Sequence, residues 1–258
     1  MKRVSADVNL YEAPASRTRA VRALQVQHEL DDLFRLNEED AAELLLVRHA
    51  EPAPLADDTG CPAVDPFLSC AGLEQAELLA TRLESLWLQG VYTAPERRAF
   101  QTAKVVADTL QRPLHMVAEL ADIDVEAIDG AEQGPRKSIA ERFVRQPRWD
   151  SIEGFQGSSE FRRRSVLAIE RILAANPARR VAAITHSSVI NAYLSMVLAI
   201  PRDMFFTPDY ASISVVRQCG DLYALRGLND TQHLAGTEAA WPSNRSVLTL
   251  RSLPLTNR

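Results

Sequence analysis

Two unbroken apolar runs, Leu44-Leu45-Leu46-Val47 and Val181-Ala182-Ala183-Ile184, constrain the fold most. Short runs without polar alternation are those of strands buried on both faces of a sheet. Helical periodicity fills the space between them. Leu73, Ala76, Ala80, Leu83 and Trp87 recur at alternating steps of three and four behind Ser69, a favourable N-cap. Ala99, Ala103, Val106 and Leu110 form a second stripe, with Pro95 suited to its first turn. Gly90-Val91-Tyr92-Thr93 and His115-Met116-Val117 read as further strands, and residues 158–175 as a helix. Another helix after His186 presents Val189, Ile190, Tyr193, Leu194 and Val197. Ile213-Ser214-Val215-Val216 and Leu222-Tyr223-Ala224-Leu225 flank Cys219-Gly220-Asp221 as a hairpin. Strands alternating with helices predict an α/β fold: three layers, α/β/α, around a mostly parallel central sheet.

The remaining stretches set the domain plan. Residues 1–40 read as an N-terminal extension with a helix over about 17–36, either docked or partly disordered, or serving as a dimerisation or regulatory arm. Residues 41–258 form one domain. Its loop at 52–67 carries four prolines, and weakly periodic residues 119–157 read as an inserted lid. No run approaches the roughly 20 apolar residues of a membrane span. The opening Met1-Lys2-Arg3-Val4 lacks a secretory apolar run, so the expected location is cytoplasmic. A net charge of −5 argues against nucleic acid as a partner, and Arg162-Arg163-Arg164 reads as a solvated helix face. Cys61, Cys70 and Cys219 are odd in number and form no C-x-x-C pair, which disfavours a disulfide framework or structural zinc.

Ligands of open α/β sheets bind beyond the carboxyl ends of the strands. The residues just past these strands are Arg48-His49, the segment Thr93 to Ala103 with Arg97 and Arg98, and Thr185-His186. Guanidinium forks suit phosphate oxygens. A neutral imidazole is a competent nucleophile or base near pH 7. The convergence points to a phosphoryl pocket. A metal reading of His49 and His186 lacks H-x-x-x-H or H-E-x-x-H spacing, and the arginines would repel a cation. No metal and no cofactor are expected. His28 and His115 read as an exposed and a structural histidine, and His233 as a packing residue.

Five segments together resemble the histidine phosphatase superfamily, which includes the cofactor-dependent phosphoglycerate mutases. Leu46-Val47-Arg48-His49-Ala50-Glu51 resembles its R-H-G/A-E signature, and Leu68-Ser69-Cys70-Ala71-Gly72-Leu73-Glu74-Gln75-Ala76 its L-[ST]-x-x-G-x-x-Q-A helix start. Pro95 to Ala103 resembles S-P-x-x-R-A-x-Q-T-A. Thr185-His186-Ser187 resembles the second-histidine motif, and Asn229-Asp230-Thr231-Gln232-His233-Leu234 the N-D-x-x-H-L ending of its phosphatase branches. The resemblance implies a phosphoglycerate mutase-like fold with His49 as nucleophile and phosphohistidine. It places Arg48, Arg98, His186 and Ser69 around the phosphoryl oxygens. Its general acid is a glutamate in an L-x-E segment, and Leu120-Ala121-Asp122 puts Asp122 there. Glu119, Asp124 and Glu126 are neighbouring alternatives.

Ala50 stands where the family often has glycine. Leu55 stands where mutase-like members carry asparagine, and Ala127-Ile128-Asp129-Gly130 replaces a W-E-G lid ending. These departures lean toward a phosphomonoester hydrolase acting on a small phosphorylated metabolite. The rivals are a phosphomutase and a non-catalytic phosphate-binding scaffold. A homodimer is compatible with the extension.

Overall fold

The computed structural model describes residues 21–29, 40–54, 65–123, 143, 145–151 and 157–237. In chain order the main elements are β1 (Ala42–Arg48), α1 (Cys70–Leu83), β2 (Gly90–Thr93), α2 (Arg97–Leu110) and β3 (Leu114–Met116). There follow α3 (Ser158–Ala174), β4 (Arg180–Thr185), α4 (Ser187–Val197), β5 (Ile213–Cys219) and β6 (Leu222–Asp230). The strands form one sheet in the order β3-β2-β4-β1-β5-β6. β3, β2, β4 and β1 run parallel, and β5 and β6 close the far side antiparallel.

The two apolar runs become the centre of that sheet. Leu44 to Val47 and Val181 to Ile184 are wholly buried, as strands covered by helices on both faces must be. A fully buried Leu or Val side chain stabilises by about 1.5–3 kcal/mol, so these paired strands anchor the core. α1 packs on α2, and α3 packs on α4.

Register carries the site. Arg48 pairs with Thr185 and Thr93 with Ile184, so β1, β4 and β2 end at the same edge of the sheet. The ladder continues past them: the amide of His49 donates to the Thr185 carbonyl at 2.9 Å, and that of Ala94 to Ile184 at 3.0 Å. Three segments distant in sequence are thereby brought side by side.

Several expectations are corrected. α1 ends at Leu83, and a 3-10 turn (Glu84–Leu86) leads to Trp87, whose left-handed φ of 52° turns its ring outward. Leu73 and Trp87 are exposed, and only Ala76, Ala80 and Leu83 of that stripe face the core. Pro95 precedes α2 rather than entering it, and Glu96 is the N-cap. The hairpin strands extend to Cys219 and Asp230, with Gly220 at a φ of 58° that glycine adopts without strain. The arginine run is no solvated face. Arg162 pairs with Asp203 at 2.8 Å, Arg164 reaches the backbone of residues 119–122, and only Arg163 is exposed.

Residues 21–29 are helical and exposed along their length. Most of the expected lid, with Asp124, Glu126 and the Ala127–Gly130 segment, lies outside the described residues, as do Leu55 and Cys61. Among the described residues no helix is long and apolar enough to cross a membrane.

Candidate active site

The loop after β1 is fixed by polar side chains from both neighbouring helices. Thr102 accepts from the Ala50 amide at 3.0 Å and donates back to the Arg98 carbonyl at 2.8 Å. Gln75 accepts from the Glu51 amide, and Gln101 from that of Leu68. The Glu51 carbonyl packs so close to Gly72 that a Cβ there would lie 2.0 Å from its oxygen, which is why glycine is required. Ser69 caps α1 by accepting from the Gly72 amide, and its hydroxyl donates to the Glu51 carboxylate.

Within this frame His49 is buried. Its Nδ1–H donates to the Ala50 carbonyl at 2.8 Å, which leaves Nε2 with the lone pair. Arg98 Nε donates to that Nε2 at 3.3 Å. Burial, then the nearby His186 and Arg48, push the His49 imidazole well below its usual 6.5, so it is neutral at pH 7. A neutral imidazole with its lone pair exposed to one side is a nucleophile in its reactive form.

Arg48 stacks on the Tyr210 ring at 4.0 Å and donates from Nη1 to the Pro208 carbonyl at 2.6 Å. Its Nε is buried with no partner. A buried N–H without an acceptor costs about 1–3 kcal/mol, so this atom calls for one, such as an anion. The Pro208–Tyr210 segment is pinned by Asn229. Its side-chain oxygen accepts from the Asp209 amide at 2.7 Å, and its nitrogen donates to the Asp209 carboxylate at 2.8 Å.

Arg98 is the hub. Its Nη2 donates to Asp122 Oδ2 at 3.1 Å and to His186 Nδ1 at 3.2 Å. The His49 and His186 ring centres are 5.2 Å apart. Asp122 Oδ1 accepts from Ser188 Oγ at 2.5 Å and from the Ile123 amide at 2.9 Å. Arg164 holds the backbone beneath it by donating to the carbonyls of Glu119, Ala121 and Asp122 at 2.9–3.0 Å. Behind His186, Glu96 Oε2 accepts from Nε2 at 2.8 Å, and Oε1 accepts from the Asp122 amide at 2.9 Å. Burial alone would raise the Glu96 carboxyl, but the His186 hydrogen bond and charge and the Asp122 amide outweigh it and hold the group at about 2.

The structure therefore brings together Arg48, His49, Arg98, Asp122 and His186. Ser69 is the exception among the candidates: its oxygen both accepts and donates in capping α1 and holding Glu51, which makes it a builder of the loop rather than a free phosphate donor. Glu119 points away and pairs with Arg171. Arg97 turns out to Asp65 and over Phe67. His28 is exposed, and His115, exposed at the sheet edge, stacks on Tyr92. Sequence reasoning missed Glu96, Ser188, Tyr210 and Arg164. Glu96 lies within a recognised motif and Ser188 adjoins one, which was the available signal; nothing local marks Tyr210. Among the described residues no group of three or more His, Cys, Asp or Glu side chains is placed to hold a metal ion.

The family model for the histidine phosphatase superfamily (branch 1) matches residues 44–231. The chain belongs to that superfamily. It is a histidine-phosphatase hydrolase, and its sheet and helices are those of the phosphoglycerate mutase-like fold. It is 27% identical over 200 residues to phosphoserine phosphatase 1 of Hydrogenobacter thermophilus, covering 74% of this chain and 94% of that protein. It is also 27% identical over 209 residues to a metal-independent phosphoserine phosphatase of Arabidopsis thaliana, covering 77% and 85%. The solved structure of Bacillus stearothermophilus YhfR superposes with a TM-score of 0.65 at 22% identity, over 75% of this chain and 99% of that one.

Proposed function

We propose that this chain hydrolyses small phosphomonoesters without a metal, through a phosphohistidine on His49. The observation that carries the reading is the His49 Nε2 lone pair, on a neutral ring, facing Arg98 with Arg48 and His186 at hand. Phosphoryl transfer needs positioning and charge stabilisation more than covalent help from the protein. Here two guanidiniums supply that charge.

In the first half-reaction Nε2 attacks phosphorus as the ester P–O bond breaks. Arg48 Nε, Arg98 and His186 receive the three phosphoryl oxygens. Arg98 Nη2 leaves Asp122 to meet the phosphoryl group, and Asp122 enters the step carrying the proton it takes from water in the second half-reaction. Asp122 then gives its proton to the leaving alkoxide. In the second half-reaction Asp122 takes a proton from water as the water oxygen attacks phosphorus and the P–N bond breaks. Inorganic phosphate leaves, and His49 is again neutral.

Phosphoserine heads the substrate panel, because two relatives bear its name. The test is phosphate release from L-phosphoserine, 3-phosphoglycerate and p-nitrophenyl phosphate in EDTA, for wild type and His49→Ala. The expected result is EDTA-resistant release that His49→Ala abolishes while keeping a native melting transition. Isomerisation of 3-phosphoglycerate without release would make the chain a mutase. Binding without turnover would make it a scaffold.

A further inference from the structure

Glu96 occupies the N-cap of α2, where a Ser, Thr, Asp or Asn side chain accepts from the first free amides of its own helix and stabilises it by about 1 kcal/mol. It makes no such bond. Its two oxygens go to the Nε2 of His186 and to the Asp122 amide instead. One carboxylate thus ties a pocket histidine to the backbone of the acid segment.

The contacts point to one tautomer. His186 Nδ1 lies 3.2 Å from Arg98 Nη2, which only donates, and 3.4 Å from the Asp122 carboxylate, which only accepts; the closer contact, the one with hydrogen-bond geometry, sets Nδ1 as the acceptor. Nε2 then carries the proton, and Glu96 receives it. His49 shows the opposite arrangement, with its proton on Nδ1 and its lone pair on Nε2. The two rings therefore turn both of their lone pairs toward the same guanidinium.

That state suits the empty pocket and not the filled one. A phosphoryl oxygen replacing Arg98 at Nδ1 would set lone pair against lone pair. The contact becomes a bond only when Nδ1 is protonated, which makes a buried imidazolium. Such a cation needs a partner of opposite charge. Glu96 is that partner, a carboxylate already bonded to Nε2, across the ring from Asp122.

We propose that Glu96 is the positioning residue of His186: it fixes the ring with Nδ1 toward the phosphoryl pocket and supplies the countercharge once Nδ1 donates to a phosphoryl oxygen. The proton arrives with the substrate, as a phosphomonoester monoanion passes its O–H proton to Nδ1 and stays as the dianion. The inference rests on the phosphatase reading for its bound state, but not for its free state.

The experiment uses the full chain with 15N-labelled imidazoles, His186→Asn for assignment, inorganic phosphate as the probe, and the variants Glu96→Gln and Glu96→Leu. In free wild type the His186 signals should be those of the Nε2–H tautomer, and saturating phosphate should convert them to the doubly protonated ring. Glu96→Leu should lose the tautomer preference and weaken phosphate binding by about 10–100-fold, the range seen when the outer partner of a metal-bound histidine is removed. Glu96→Gln still accepts from Nε2–H, so it should keep the free tautomer yet fail to show the doubly protonated ring with phosphate. Being isosteric, it answers the question even if Glu96→Leu folds poorly.

Wild-type ring signals and phosphate affinity in both variants would overturn the proposal. If wild type hydrolyses no phosphomonoester, the phosphatase reading falls. The free-state spectra and the phosphate titration still decide the role of Glu96.

Discussion

Arg97 and Arg98 are neighbours at the start of α2, and only Arg98 turns inward. Its side chain is 14% exposed against 58% for Arg97. Arg98 places Nε on His49 Nε2 and Nη2 between Asp122 and His186. Arg97 has a 3.8 Å ion pair to Asp65 and stacks on Phe67 at 4.8 Å. A charge-assisted hydrogen bond is worth about 1.5–3 kcal/mol. Two such contacts to the phosphoryl oxygens total about 3–6 kcal/mol, or about 10²–10⁴ in kcat/KM at about 1.36 kcal/mol per tenfold. An exposed ion pair contributes about 0–1 kcal/mol, so Arg97→Ala should cost less than about fivefold. Steady-state hydrolysis of p-nitrophenyl phosphate by wild type, Arg97→Ala and Arg98→Ala measures both, with thermal melts confirming that each variant folds. Arg98→Lys should remain well below wild type, since an ammonium cannot reproduce the fork. Equal losses at the two positions would refute the orientation of α2 and the hub role of Arg98.

Asp122→Asn should reduce hydrolysis of an alkyl phosphate by about 10²–10⁴-fold and that of p-nitrophenyl phosphate far less, because the nitrophenolate leaves without a proton; the same leaving-group dependence in Glu119→Gln instead would move the acid role there. Arg164→Ala frees three carbonyls beneath Asp122, so kcat on alkyl phosphates should fall tenfold or more while KM changes little, and an unchanged kcat would show that the segment holds itself. The His49 imidazole is held below its usual 6.5 by burial, so the unfolded chain binds more protons than the native one under that pH. Stability should therefore decline as pH falls below about 6.5, and urea titrations from pH 8 to 5 should show a smaller decline in His49→Asn.

Unbroken apolar runs made the centre of the sheet legible. Leu44 to Val47 and Val181 to Ile184 must be buried on both faces, and the histidines that follow them are then brought to one edge by parallel pairing. The clustering of Arg48, His49, Arg98 and His186 was legible because strand ends are where α/β sheets bind ligands. What escaped were contacts made by charged side chains across long separations. Glu96 meets His186 across 90 residues, and Arg164 meets the Asp122 segment across some 42–45. A run of three arginines looks solvated until the fold lays backbone carbonyls beside two of them. Ser69 satisfied its motif for a local reason, the cap of α1 and the tight passage of Glu51 over Gly72. Trp87 kept helical spacing in a segment that had already left the helix.

The proposed mechanism requires a covalent phosphoryl group on His49. It is tested by mixing enzyme with substrate, quenching within milliseconds in alkaline denaturant that preserves phosphohistidine, and mapping the adduct by mass spectrometry. One adduct is expected, on the imidazole of His49, formed at least as fast as turnover and absent from His49→Ala. Turnover with no adduct, or an adduct on His186, would contradict it.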